Sequence, residues 1–228
     1  MKILIATIKQ WNIDAANRLK KEYAGTHEIT VFSSKEELTY DAVAAIGPDI
    51  IFFPHWSFFI PECIFENFKC VVFHMTDLPY GRGGSPLQNL IVRGVRETKI
   101  SALRVVKELD AGPIYMKEPL TLEGAAWEIF ERASRIIFER MIPKFLEGPI
   151  KSKPQEGEVV EFKRRKPEDG ELSGNMSLET MYDYIRMLDG EGYPPAFVNL
   201  GDKKLEFSEA RLENGELTAT VRFVRRED

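Results

Sequence analysis

Cys70-Val-Val-Phe-His-Met-Thr-Asp-Leu-Pro-Tyr-Gly-Arg-Gly-Gly-Ser-Pro86 is the stretch on which the reading turns. Lys69 precedes it, and it opens as an apolar run from Cys70 to Phe73, the pattern of a strand buried on both faces. The run delivers one imidazole, His74, where it ends. A loop with three glycines, two prolines and Arg82 follows. In open α/β sheets ligands collect beyond the carboxyl ends of the strands, and glycines let backbone approach a ligand closely. Arg82 either braces the loop or meets an anion. A strand-end histidine standing alone is read as a satisfied structural residue, so His74 needs company before it carries chemistry.

The flanking segments supply the architecture. Lys2 to Thr7, Glu28 to Phe32, Asp49 to Phe53 and Lys69 to Phe73 read as strands. Helical spacing runs from Ile13 to Tyr23, and Ser34 with Glu37 has the spacing of a capping box opening a helix that stops near Gly47-Pro48. Strands alternating with helices predict an α/β fold: a Rossmann-like, mostly parallel sheet with helices on both faces. Leu87 to Arg93 suits a helix, Ile100 to Val106 and Pro113 to Lys117 suit strands, and Ala125 to about Phe145 is the clearest helix, stopped by Gly148-Pro149. Residues 1–150 therefore form one catalytic domain. Residues 151–228 form a linker and a small C-terminal α+β subdomain: a strand at Val159 to Arg164, a helix at Leu178 to Leu188, and strands Lys204 to Leu212 and Glu216 to Val224. Glu213-Asn214-Gly215 is a strong hairpin signal between the last two.

Composition narrows the classes. The chain has 228 residues, 43% of them hydrophobic, which is enough for an ordinary core. Thirty-one basic and 36 acidic residues leave a net charge of -5, which disfavours a protein that grips nucleic acid through its overall field. No run approaches the ~20 apolar residues of a membrane-spanning helix, and the first residues lack a secretory cleavage pattern. Cys63 and Cys70 read as reduced core residues of a cytoplasmic protein. No metal-ligand cluster is visible.

Asp110 gives His74 its company. It lies in Leu109-Asp-Ala-Gly-Pro113, again at a strand end, where a carboxylate can orient an imidazole and raise its basicity for proton transfer. Asp-x-Gly is also an ordinary turn sequence.

Together these residues resemble the folate-dependent formyltransferases, a family that includes tRNA, ribonucleotide and sugar enzymes. Its signature, Asn-x-His-x-Ser-Leu-Leu-Pro-x-(Tyr/Phe)-Arg-Gly followed by Pro-x-Gln, meets His74, Thr76, Leu78, Pro79, Arg82, Gly83, Pro86 and Gln88 in register. Thr98-Lys-Ile-Ser101 and Leu109-Asp-Ala-Gly-Pro113 continue it. Arg164-Arg-Lys-Pro-Glu-Asp169, Ile185-Arg186 and Tyr193-Pro-Pro-Ala-Phe197 match the later motifs of the tRNA and sugar branches. The resemblance implies formyl transfer from 10-formyltetrahydrofolate, a co-substrate, to a primary amine, with no metal. His74 would handle protons and Asp110 would be its carboxylate partner. Folate would sit against Trp56, Ser57 and Phe58 of one loop and Lys107, Glu108 and Leu109 of another. Lys9, Trp11, Thr76, Arg82 and Gln88 would face the acceptor. Asp77, beside His74, either steadies an imidazolium or caps the loop.

The sequence departs from the signature at Val72, which stands where the family carries an Asn. Asn89, Gln88, Thr76 and His55 are the polar residues that could stand in. If none does, the chain is a folate-binding protein with weak or no turnover. Among acceptors, the charge and the short C-terminal part point to a nucleotide-linked amino sugar. Methionyl-tRNA, and water in hydrolysis of the formyl donor, are the alternatives. A homodimer remains open.

Overall fold

The computed structural model describes residues 1–226. A six-stranded sheet has the order β2-β1-β3-β4-β6-β7, formed by β1 (Lys2–Ala6), β2 (Glu28–Phe32), β3 (Ile50–Phe53), β4 (Cys70–His74), β6 (Glu97–Arg104) and β7 (Ile114–Thr121). β1 lies parallel to β2 and β3, and β3 parallel to β4. The mostly parallel α/β sheet is therefore as the alternation of strands and helices predicts. β6 runs antiparallel to β4. An antiparallel neighbour can be reached by a chain that returns at the same end of the sheet, without a full crossover. The chain does so here, through β5 (Tyr80–Gly83) and α4 (Pro86–Ile91), and returns at the carboxyl end of β4.

Two compact units divide the chain. The first comprises Met1–Arg82, Lys99–Leu120 and Glu131–Glu161; the second comprises Gly83–Thr98, Thr121–Phe130 and the chain from Phe162 onward.

In the first unit, α1 (Gln10–Glu22) begins three residues before the predicted start and takes in Gln10, Trp11 and Asn12, with Lys9 at its N-cap. The Ser34–Glu37 signal does not open a helix. Glu37 accepts hydrogen bonds from the Ser33 and Ser34 amides, both at 2.9 Å, and closes an isolated turn; Leu38 is buried, and α2 (Tyr40–Ile46) starts afresh with Thr39 capping the Ala42 amide. One face of the sheet packs Leu4, Ala6, Ile51, Phe53 and Cys70 under Val43 and Ile64. Burial pushes the Cys70 thiol up to about 12, so it is an inert core group. Cys63 corrects the expectation of two core cysteines. It lies on the exposed side of α3 (Glu62–Phe65), whose buried residue is Ile64. The predicted long helix, assigned to the second unit up to Phe130 and to the first from Glu131, is α5 (Ala126–Ile136), one wider turn at Ile137–Met141, and α6 (Ile142–Glu147). Pro143 has no N–H to give the Glu139 carbonyl, which accounts for the wider turn.

In the second unit, α7 (Leu178–Leu188) matches its predicted span. The hairpin is β10 (Lys203–Glu213) and β11 (Glu216–Arg225), with Asn214 and Gly215 at φ 53° and 79°, the two positive values a tight hairpin turn requires. β9 (Ala196–Leu200), unpredicted after Tyr193-Pro-Pro, completes a three-stranded antiparallel sheet. Arg186 is buried in this unit. Its Nε donates to Asp183 Oδ1 at 2.7 Å, and its Nη1 donates to the Leu122 and Gly124 carbonyls at 2.6 and 2.9 Å. Arg96 adds a second cation to Asp183 at 3.3 Å. The Ile185-Arg186 motif is therefore a fold determinant: it holds Leu122 to Gly124 against α7.

Removing one partner of a buried, hydrogen-bonded ion pair strands the other. Arg186→Ala is expected to lower unfolding stability by ~3–5 kcal/mol in a urea or guanidinium titration. A loss under ~1 kcal/mol, the range of a surface pair, would contradict this role.

Candidate active site

His74 closes β4 with its ring buried. Its Nε2 lies 2.7 Å from the Gly81 carbonyl oxygen and its Nδ1 lies 3.5 Å from Asp110 Oδ2. A carbonyl only accepts, so Nε2 carries the proton. Nδ1 is thereby left to face the carboxylate, as a lone pair in the neutral ring and as a second donor in the imidazolium. The pairing expected from two distant strand ends is present.

Asp110 is held in an unusual conformation. Its φ is 52°, in the left-handed region that non-glycine residues seldom adopt. Two residues on, a Cβ at Gly112 would lie 1.7 Å from the Arg104 carbonyl oxygen, so only glycine fits. Gln155, a residue the sequence did not single out, fixes the turn. Its Nε2 donates to the Asp110 and Gly112 carbonyls at 2.7 and 2.9 Å, while its Oε1 accepts from Arg82 Nε and Nη2 at 3.1 and 2.9 Å. Arg82 Nη1 also reaches Glu108 at 3.6 Å. Of the two roles open to Arg82, bracing the loop is the one its contacts describe. The signal for Gln155 was faint: one amide in a Lys/Pro/Glu/Gly stretch that read as linker.

The other loop residues hold the scaffold. Asp77 takes Lys99 at 3.0 Å and Lys117; burial alone would raise its carboxyl, but the two ammonium groups hold it below the usual range. It anchors the loop. Thr76 is fully buried, its hydroxyl donating to Gly81 O at 3.3 Å. Gly83, at φ 102°, would place a Cβ 2.5 Å from the Phe162 carbonyl oxygen. Here the glycine serves the approach of β5 to β8 (Val160–Phe162), not the approach of a ligand. Gln88 belongs to the second unit, where its amide donates to Met187 O at 3.2 Å.

Beyond β3, Pro54 accepts from the Thr7 hydroxyl at 2.7 Å, and His55 takes a left-handed φ of 54°. Desolvation, and secondarily Lys9, lower the His55 pKa to about 4, so it is neutral near pH 7. Trp11 meets the His55 ring edge-on at 5.9 Å, with the Lys9 ammonium over its own ring at 5.5 Å. Lys9, Trp11 and His55 thus gather at the carboxyl ends of β1 and β3, where the sheet order reverses and open α/β sheets take ligands. Trp56 packs against the core cluster, as do Val72 and Val105, and its Nε1 is buried without a hydrogen-bond partner. Ser57, Phe58 and Phe59 are exposed, the last at 89%. Glu108 and Leu109 are exposed, and Lys107 pairs with Glu62 at 3.2 Å. Among the described residues no group of three or more His, Cys, Asp or Glu could hold a metal ion, and no helix is long and apolar enough to cross a membrane.

Comparison with known proteins places this arrangement. Residues 6–124 match the family model described as formyl transferase, and residues 167–224 match the one described as methionyl-tRNA formyltransferase, C-terminal domain. A methionyl-tRNA formyltransferase of Lactobacillus johnsonii is 29% identical over 204 residues, which cover 84% of this chain and 64% of that relative. A solved methionyl-tRNA formyltransferase from Clostridium thermocellum superposes with a TM-score of 0.97 at 54% identity, covering 99% of this chain and 100% of the other. HypX from Aquifex aeolicus, solved in complex with tetrahydrofolic acid, shares the fold at a TM-score of 0.75 and 22% identity, over 93% of this chain and 38% of its own.

Gln155→Leu keeps the volume and removes the clamp. It is expected to cost ~1–3 kcal/mol, the penalty for stranding buried polar groups. Hydrogen exchange should speed up at Ala111 and Gly112 ahead of the β4 amides. Equal acceleration across both would contradict a local clamp.

Proposed function

The chain belongs to the formyl transferase family, and within it we propose that it transfers a formyl group from 10-formyltetrahydrofolate to a primary amine, with His74 and Asp110 moving the proton. The His74–Asp110 contact at 3.5 Å carries the reading, because amine formylation has one obligatory proton problem. Once the amine nitrogen bonds to the formyl carbon it is an ammonium, which must lose a proton before the folate nitrogen can leave.

The donor supplies an activated formyl carbon when bound; the rest is work for side chains. His74, with Nε2 spent on Gly81, takes the proton at Nδ1 and holds it beside the Asp110 carboxylate, which stabilises the imidazolium. The same pair returns the proton to the departing folate nitrogen. Gln155 keeps Asp110 in place through backbone bonds on both sides of Ala111. The loop from Pro54 to Pro61 and the exposed Glu108 and Leu109 are the proposed folate walls. The tetrahydrofolic acid bound in HypX supports a folate in a chain of this fold.

For the acceptor, we favour a small phosphate-bearing amine of the nucleotide-linked amino-sugar type, seated by Lys9 and Trp11. The net charge of -5 offers no general attraction for RNA. The basic run from Lys163 to Lys166 is also partly spent: Arg165 donates to the Asp169 carbonyl at 2.5 Å and lies over Tyr184. Methionyl-tRNA is the second reading. It is carried by the 54% identity to the Clostridium thermocellum chain and by the match over residues 167–224. The chain spans 64% of the length of the Lactobacillus johnsonii relative.

The test supplies 10-formyltetrahydrofolate with amino-sugar nucleotides, with methionyl-tRNA, or with water alone. Formylated sugar is expected; formyl-methionyl-tRNA would favour the second reading, and formate without an amine would mean hydrolysis. His74→Ala and Asp110→Asn should each lower kcat by ~10²–10⁴ while folate still binds. Wild-type rates in either variant, or no folate binding by the wild type, would contradict the assignment.

A further inference from the structure

Formyl transfer builds negative charge on the formyl oxygen, and a fixed donor aimed at that charge is usually the largest catalytic contribution. The family signature carries an Asn two residues before the His. Val72 has no donor to offer. Three of the nearby candidates are committed elsewhere. The Asn89 amide donates to the Gly84, Ser85 and Lys163 carbonyls at 3.0, 3.1 and 2.9 Å. Gln88 donates to Met187, and Thr76 to Gly81. His55 packs edge-on with Trp11 at 5.9 Å, among the groups expected to face the acceptor.

Trp56 is different. Residues two apart on a strand share a face, so Val72 and His74 point to the same side of the sheet. The β3–β4 register sets Phe53 opposite Val72, and Trp56 follows β3 by three residues. Its ring meets Phe53 at 5.9 Å and packs against the same cluster as Val72. It also meets Phe58, at 5.5 Å and 40% exposed. The indole Nε1 is shielded from water and has no hydrogen-bond partner. A buried indole N–H ordinarily finds an acceptor, and one left without is costly. An unspent donor of this kind, on the face of the missing Asn and within the proposed folate loop, calls for a ligand oxygen.

We propose that the Trp56 indole N–H takes the place of the absent Asn and donates to the formyl oxygen of bound 10-formyltetrahydrofolate. The inference rests on the formyl-transfer reading. As the amine nitrogen bonds to the formyl carbon, the carbonyl π pair moves onto oxygen. The indole keeps its proton and stabilises that charge. The His74–Asp110 pair takes the ammonium proton. The electron pair then returns as the bond from carbon to the folate nitrogen breaks, and that nitrogen receives the proton. An indole donates only, whereas an Asn amide also accepts. Accepting a hydrogen bond from the amine therefore falls to other groups, among them Asp110 and His74 Nδ1.

The test is an NMR titration of the ¹⁵N-labelled full chain. Its three tryptophans, Trp11, Trp56 and Trp127, give three indole signals, and Trp56→Phe assigns the relevant one by its loss. The Trp56 indole proton should move downfield with 10-formyltetrahydrofolate and stay in place with tetrahydrofolate, which lacks the formyl oxygen. At saturating 10-formyltetrahydrofolate, Trp56→Phe should lose ~10²-fold in kcat. Adding Val72→Asn to that variant should restore turnover. Equal shifts with both folates, or a Trp56→Phe variant at wild-type rate, would overturn the proposal and leave the formyl-transfer reading standing. Binding of neither folate would overturn both.

Discussion

The hydrogen bond from His74 Nε2 to the Gly81 carbonyl, 2.7 Å long, decides which ring nitrogen is left for chemistry. Because the partner is a carbonyl, the proton sits on Nε2 in the neutral ring. Nδ1 is then the basic atom, and it faces the carboxylate that can stabilise it once charged. Much of the surrounding loop serves that one contact. Thr76 donates to the same carbonyl, Ser101 accepts from the Leu78 amide and donates to the Thr76 carbonyl, and Lys117 gathers Asp77 and the Leu78 carbonyl. A short loop thus places Gly81 against the ring of a residue seven positions earlier.

The carboxylate half is braced separately. Asp110 has a positive φ, Gly112 lies too near Arg104 for any side chain, and Gln155 closes the turn from outside. Gln155 also receives Arg82, so one amide links the loop after β4 to the Asp110 turn. Backbone held in a sparsely populated region persists where its surroundings over-determine it, and this turn meets that condition. The strain lies beside the group whose placement matters most.

Much of this was legible in the sequence. The apolar run ending at His74, the Asp110-x-Gly112 turn and Asn214-Gly215 each declare their role through local chemistry. What stayed hidden depends on partners far along the chain. Gln155 looks like linker until its amide is seen on the Asp110 turn 45 residues away. The glycine at 83 reads as room for a ligand, yet the space is taken by the backbone of Phe162. The Ser34–Glu37 spacing forms the hydrogen bond it promises, but buried Leu38 ends that turn and the helix waits for Thr39. Residue type alone predicts a core position for Cys63, and only the helix face reveals that Ile64 takes it. Val72 was visible from the start as a departure, whereas the unspent Trp56 donor on its face required the packing.

The central claim is that Nδ1 of His74, set against Asp110, is the proton-accepting atom. The most direct measurement is the ¹⁵N spectrum of the neutral His74 imidazole, assigned with a His74 variant. The account predicts a ring protonated at Nε2, with its lone pair on Nδ1 facing Asp110. A neutral ring protonated at Nδ1 would contradict it.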